Sequence, residues 1–176
     1  MFFYILIGFV IIQRLVELII AKKNEKLSLS KGGIEYDKKG YYGIVALHFL
    51  FFISLFAEKF YFERTLNKFW IIFLILFIAA QFLRYWSIVS LGSMWNTRII
   101  IIPGSSLVKY GPYKYFKHPN YMAVITELSV IPLMFGCFFT AVIFSSVNLL
   151  LLKRRIEIEE NALKELKVES NNQINQ

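Results

Sequence analysis

Apolar residues run along this chain in long stretches separated by short charged segments, and that alternation predicts membrane-spanning helices. A helix crosses the hydrocarbon core, ~30 Å thick, with about 20 apolar residues. Residues 2–21 meet that length apart from Gln13, Arg14 and Glu17. A second run covers residues 43–57 and continues to Phe60 and Phe62, and a third fills residues 69–91. The fourth, residues 121–152, holds 32 residues, about 48 Å of helix at 1.5 Å each, too long for a single crossing. Pro132 and Gly136 near its midpoint predict two short helices folded back on each other. The pattern predicts an all-α integral membrane protein with about five transmembrane helices, the last two forming a short C-terminal hairpin. It divides one membrane domain, residues 1–176, into three N-terminal spans (1–91), a loop, hairpin and exit helix (92–166), and a polar tail (167–176).

Composition agrees. The 176 residues are 57% hydrophobic and 18% aromatic, with a mean hydropathy of +0.54, which leaves too little polar surface for a soluble globule. The first apolar run has no basic segment before it and no small-residue cleavage motif after it, so it reads as a retained helix. A single cysteine, Cys137, excludes an internal disulfide and, without a neighbouring His or second thiol, reads as a small apolar packer.

Charge sets the expected orientation, because Lys and Arg collect in cytoplasmic loops. With five spans and an outside N-terminus, fifteen Lys and Arg fall inside and only Lys59, Arg64 and Lys68 fall outside. A four-span reading would place the last basic cluster outside. The net charge of +8 thus reflects orientation in a cell membrane and contact with anionic headgroups, not nucleic-acid binding. On this topology the polar segments 92–120 and 153–166 both emerge in the cytosol, joined by the hairpin, so His118 and Arg155 are expected to lie close together.

The first of these segments contains the Gly111-Pro112 turn. His118-Pro119 then biases His118 away from helical dihedrals and lets Pro119 open the next helix, whose first N–H groups are available to a ligand. Tyr110, Tyr113, Tyr115, Phe116 and Tyr121 offer aromatic faces there, able to stack a base or attract a cation; an interfacial aromatic belt gives the same composition. In the second segment Arg155 and Glu159 share a helix face with Glu160 turned away, a spacing that ordinary surface ion pairs also use. The intramembrane groups Arg14, Glu17, Gln81 and Arg84 either line a lipid route, or pair with one another or snorkel to the helix ends.

Gly111-Pro-Tyr-Lys-Tyr-Phe-Lys-His-Pro-Asn-Tyr121, a hydrophobic hairpin, then Arg155-Ile-Glu-Ile-Glu-Glu-Asn-Ala-Leu163, in that order, resembles the isoprenylcysteine carboxyl methyltransferase family of integral membrane enzymes. The resemblance covers about residues 92–166. It implies a cytosolic S-adenosyl-L-methionine pocket built from Ser105, Ser106, Leu107, Val108, Tyr113, His118, Pro119, Asn120, Tyr121 and Glu159. It also implies that Arg155 addresses the acceptor, with Glu159 and Glu160 as the candidate acids. Three features depart from the family: Lys117 replaces an arginine, Ser105 stands where eukaryotic relatives have a histidine, and the aromatic C-terminal extension is missing. They shift the expected acceptor from a prenylcysteine towards a small lipidic acid or acidic hydroxyl, such as an alkylpyrone.

Methyl transfer to oxygen needs alignment and exclusion of water, and neither a metal nor a covalent nucleophile. Two other classes compete. A nicotinamide-dependent membrane reductase of the sterol-reductase type shares the His-Pro-Asn-Tyr corner but gives Arg155 and Glu159 no role. A transporter or assembly factor places its polar groups near the bilayer midplane.

Overall fold

The computed structural model describes residues 1–105 and 107–174, with side chains described as far as residue 165. Among the described residues are five α-helices: α1 Phe2–Ser30, α2 Lys38–Tyr61, α3 Trp70–Leu91, α4 Pro119–Met134 and α5 Phe138–Ile174. The first three are long and apolar enough to cross a membrane, and the chain is a predominantly helical integral membrane protein. α1 holds 29 residues, about 44 Å, well beyond the ~30 Å core. It does not stop where the apolar run ends at Ala21. The following Lys, Glu, Asn and Leu residues tolerate helix, and the chain leaves it only near Gly32, whose φ of +81° suits glycine.

The chain is mostly helical as expected, with one short β-ribbon that the sequence pattern does not predict. Strand β1, Ile34–Tyr36, pairs antiparallel with β2, Ile99–Ile101, with Glu35 opposite Ile100. The four isoleucines of residues 99–102 are β-branched and stiff, so they fit a pleated edge better than a loop. That apolar run sits inside a segment read from sequence as simply polar. Arg98 holds the ribbon from the side, with Nη1 2.8 Å from Glu35 Oε1 and 3.5 Å from Glu25 Oε1.

Two compact units emerge. One combines Met1–Tyr41, Leu91–Leu107 and the chain from Ile156 onward. Its small core is Ile99, Ile101 and Ala162, flanked by Tyr36, Ile158 and Leu163. Asn24 on α1 adds hydrogen bonds from Nδ2 to the carbonyls of Trp95 at 2.8 Å and Gly92 at 3.1 Å. The distal end of α1, the segment that follows α3 and the distal half of α5 therefore occupy one place. The α4–α5 pair returns the chain to the region from which it departed.

The second unit is Tyr42–Ser90 with Val108–Arg155. Here α4 ends at Met134 and the chain reverses through residues 135–137, where Gly136 adopts φ +68°, while Pro132 remains inside the last helical turn. Gly136, not Pro132, breaks the run: the proline removes one N–H, whereas the left-handed glycine reverses the chain. The reversal is tied to the α2–α3 connection, since Asn67 N–H donates to Met134 O at 2.9 Å. Buried Glu58, on α2, accepts from the N–H groups of Phe139 at 3.2 Å and Thr140 at 2.7 Å and from the Thr140 hydroxyl at 2.8 Å. A carboxylate there satisfies the first-turn donors of α5 and complements its dipole. Burial, then the Glu58 carboxylate, pushes the Cys137 thiol up to about 11, consistent with an inert packing role.

Candidate functional site

Gly111 opens a short 3₁₀ turn, Gly111–Lys114, at φ +62°. A Cβ at that position would collide with Ser90 Oγ and stand 3.2 Å from Trp86 Nε1, so the turn lies directly on the end of α3. Gly111→Ala is expected to lower stability by about 1–3 kcal/mol, from the left-handed backbone and the collision together. Thermal melting in detergent measures it, and an unchanged midpoint would show that the turn lifts away without cost.

His118 precedes α4 with φ −129° and ψ 61°, outside helical values, and Pro119 takes the first helical position. The N–H groups of Tyr121 and Met122 donate to His118 O at 3.1 and 3.2 Å. The row of donors expected at this helix start is thereby shortened, because Pro119 has no N–H and Tyr121 turns its own inward. The His118 and Tyr121 rings stack nearly parallel, 5.2 Å between centroids at 6°. Arg155, buried on α5, donates from Nε to Tyr121 Oη at 3.0 Å. His118, Tyr121 and Arg155 thus form one contact chain, the juxtaposition that the sequence predicts.

Beneath it lies a carboxylate that the sequence reading missed. Glu127 on α4 receives Arg84 Nε at 2.9 Å, Arg84 Nη2 at 2.6 Å and Gln81 Nε2 at 2.7 Å, with Arg84 1% and Glu127 2% exposed. A lone acid inside an apolar run was the available signal, since such a residue needs a partner within the membrane. Arg84 Nη1 also reaches Asn120 Oδ1 at 3.5 Å, a long contact that links the ion pair to the first turn of α4. On α1, Glu17 takes Arg14 at 2.7 Å and Gln13 at 2.8 Å. Arg14 and Glu17 thus pair on α1, while Arg84 and Gln81 share Glu127 on α4.

The other expected residues are placed as follows. Tyr113 and Val108 are half-buried in the second unit. In the first unit, Ser105 is exposed, with its hydroxyl donating to Ile102 O at 2.7 Å, and Leu107 is exposed. Ser106 lies outside the described residues, as do the side chains of the polar tail. Glu159 and Glu160 follow Arg155 on α5 and are both half-buried, whereas Glu157 is exposed, so burial does not single out one acid.

Fold and site define a helical integral membrane protein in which the α4–α5 pair, its second helix 37 residues long instead of short as expected, carries an arginine to a tyrosine-lined corner. The match of residues 72–165 to the isoprenylcysteine carboxyl methyltransferase (ICMT) family model spans more than half of the chain, and the chain belongs to that family. It is 41% identical over 166 residues to the uncharacterized protein YpbQ of Bacillus subtilis (strain 168), covering 94% of this chain and 99% of that one. It is also 29% identical over 154 residues to an uncharacterized protein of Haemophilus influenzae (strain ATCC 51907 / DSM 11121 / KW20 / Rd), covering 87% and 90%. No solved structure matches.

Proposed function

We propose that this protein is an S-adenosyl-L-methionine-dependent O-methyltransferase acting on a lipophilic carboxylate or acidic hydroxyl. The observation that carries the reading is the Arg155–Tyr121 hydrogen bond of 3.0 Å, which joins the arginine of the exit helix to the aromatic corner within the family-matched region. The residues fit the cofactor: the parallel His118–Tyr121 pair offers aromatic faces suited to an adenine or a sulfonium, and Glu159 supplies a carboxylate on α5. When bound, S-adenosylmethionine supplies an electrophilic methyl and leaves as the neutral thioether.

Arg155 holds the acceptor's anionic oxygen, keeps it ionised and aims it; Tyr121 fixes the orientation of the guanidinium. A carboxylic acid or acidic enol arrives already deprotonated near neutral pH, so no strong base is required. Ser105, Leu107, Val108, Tyr113, Pro119 and Asn120, with Ser106, complete the proposed cofactor contacts.

The same reading assigns five crossings, an outside N-terminus and a cytosolic site in the cell membrane. The shared unit formed by the ends of α1 and α5 with the segment after α3 supports it, as does the tie between the α4–α5 reversal and the α2–α3 connection. Membrane lipids and a lipid acceptor are the proposed partners.

Titration of the purified protein in detergent with S-adenosylhomocysteine, and separately with NADPH, tests the reading. The first is expected to stabilise by about 2.7 kcal/mol at a hundred times its Kd, raising the melting midpoint, and the second to leave it unchanged. Stabilisation by NADPH alone would instead favour the reductase class.

A further inference from the structure

The second unit contains two buried amides whose hydrogen-bonding groups are not all used. Asn148 on α5 is 1% exposed, and neither its Nδ2 nor its Oδ1 has a partner. Gln81 on α3 is 8% exposed; its Nε2 donates to Glu127, which fixes the amide orientation because a carboxylate accepts only, and its Oε1 has no partner. Buried polar groups in a membrane are normally satisfied, and an exception calls for a ligand or a function.

Their depth is informative. α3 begins at Trp70 and α5 at Phe138, and both starts lie at the end of the unit where Asn67 bonds Met134 and Glu58 meets Thr140. Gln81 is eleven residues into α3 and Asn148 ten residues into α5, about 15–17 Å from that end. On the five-crossing reading proposed above, that depth is mid-membrane in a core of ~30 Å. Asn148 also belongs to the buried stripe Ala141, Asn148, Leu152 and Arg155, two turns or about 10 Å from Arg155.

We propose that Asn148 is a specificity-determining residue that hydrogen-bonds a second polar group, a hydroxyl or carbonyl, carried by the lipid acceptor about 10 Å from the oxygen that Arg155 holds. This rests on the methyltransferase reading and narrows its substrate class: a lipid acid oxygenated part-way along its chain, not a plain hydrocarbon acid. An amide able both to donate and to accept recognises either oxygen function. A plain methylene chain would leave it unsatisfied.

The test uses three acids of equal chain length: octadecanoic acid, its analogue hydroxylated at mid-chain, and its analogue hydroxylated beside the carboxyl. Binding in nanodiscs with S-adenosylhomocysteine present, and methyl transfer from labelled S-adenosylmethionine, are measured for the wild type, Asn148→Leu and Asn148→Ala. The wild type is expected to favour the mid-chain hydroxy acid at least tenfold over both others. Both variants are expected to lose that preference while S-adenosylhomocysteine affinity is kept, and Asn148→Leu to melt no lower than the wild type. Equal affinity for all three acids in the wild type, or a preference that survives in both variants, overturns the role of Asn148. Failure of the underlying reading looks different: no S-adenosylhomocysteine binding, and no methylated product from any acid.

Discussion

Arg155→Ala is expected to abolish methyl transfer, lowering kcat/KM about a thousandfold, while S-adenosylhomocysteine binds within a few-fold of its wild-type affinity. A thousandfold loss corresponds to about 4 kcal/mol, the size expected when a buried charge that pairs with an anion is deleted. Arg155 is 6% exposed and its Nε bonds Tyr121, so the truncation removes the proposed counter-charge for the acceptor together with a hydrogen bond to the Tyr121 phenol. Arg155→Lys separates the two effects. It keeps the charge but loses the planar fork, and is expected to fall between the other two proteins. His118→Ala and Tyr121→Ala should show the opposite split, with weakened S-adenosylhomocysteine binding, because they remove the stacked aromatic pair. Single-turnover transfer of a labelled methyl to a lipid extract, beside calorimetric titration, reads both quantities. Wild-type activity in the alanine variant would take Arg155 out of the reaction.

Which parts of the fold were legible follows from which forces operate locally. The three long helices announce themselves because a bilayer demands apolar length, and the count survives even where helix ends do not. The extension of α1 to Ser30 was hidden because a hydrophobicity run marks the membrane, not the helix, and Lys22 to Ser30 are helical without being apolar. The β1–β2 ribbon was harder: its strands are separated by 62 residues, from Tyr36 to Ile99, and each is only three residues long. Such pairing is fixed by tertiary packing on Ala162, Ile158 and Leu163, which no local window contains. Of the two helix breakers in the hairpin, sequence gave no means of ranking Pro132 against Gly136. Positive φ at Gly136, secured by Glu58 and Asn67 from another part of the chain, decided it.

The site divides the same way. The meeting of His118, Tyr121 and Arg155 was readable, because the hairpin forces its own ends together whatever its packing. The partners of intramembrane charges were not, since pairing depends on which helix faces which. Arg84 is joined by Glu127 across 43 residues, and Glu127 looked like one polar interruption in an apolar run. Asn148 was passed over for the same reason: an asparagine inside a span is informative only once its surroundings are known to offer it nothing.

The Arg84–Glu127 pair carries the largest expected effect on stability. Glu127→Leu leaves a guanidinium that is 1% exposed without its counter-charge, and is expected to cost about 3–5 kcal/mol, enough to prevent recovery of folded protein at moderate temperature. Arg84→Leu is expected to cost as much, because the buried Glu127 carboxylate loses its guanidinium counter-charge. The double variant Arg84→Leu/Glu127→Leu removes both charges and replaces them with side chains suited to an apolar interior, so its melting midpoint should return to near the wild-type value or pass it. Cofactor affinity should not recover with it, because Arg84 is also the residue that reaches Asn120 at the start of α4. Restored stability with S-adenosylhomocysteine binding still weakened would identify the pair as a device for positioning that corner. If binding recovers together with stability, the pair only holds α3 to α4 and Asn120 is oriented by something else.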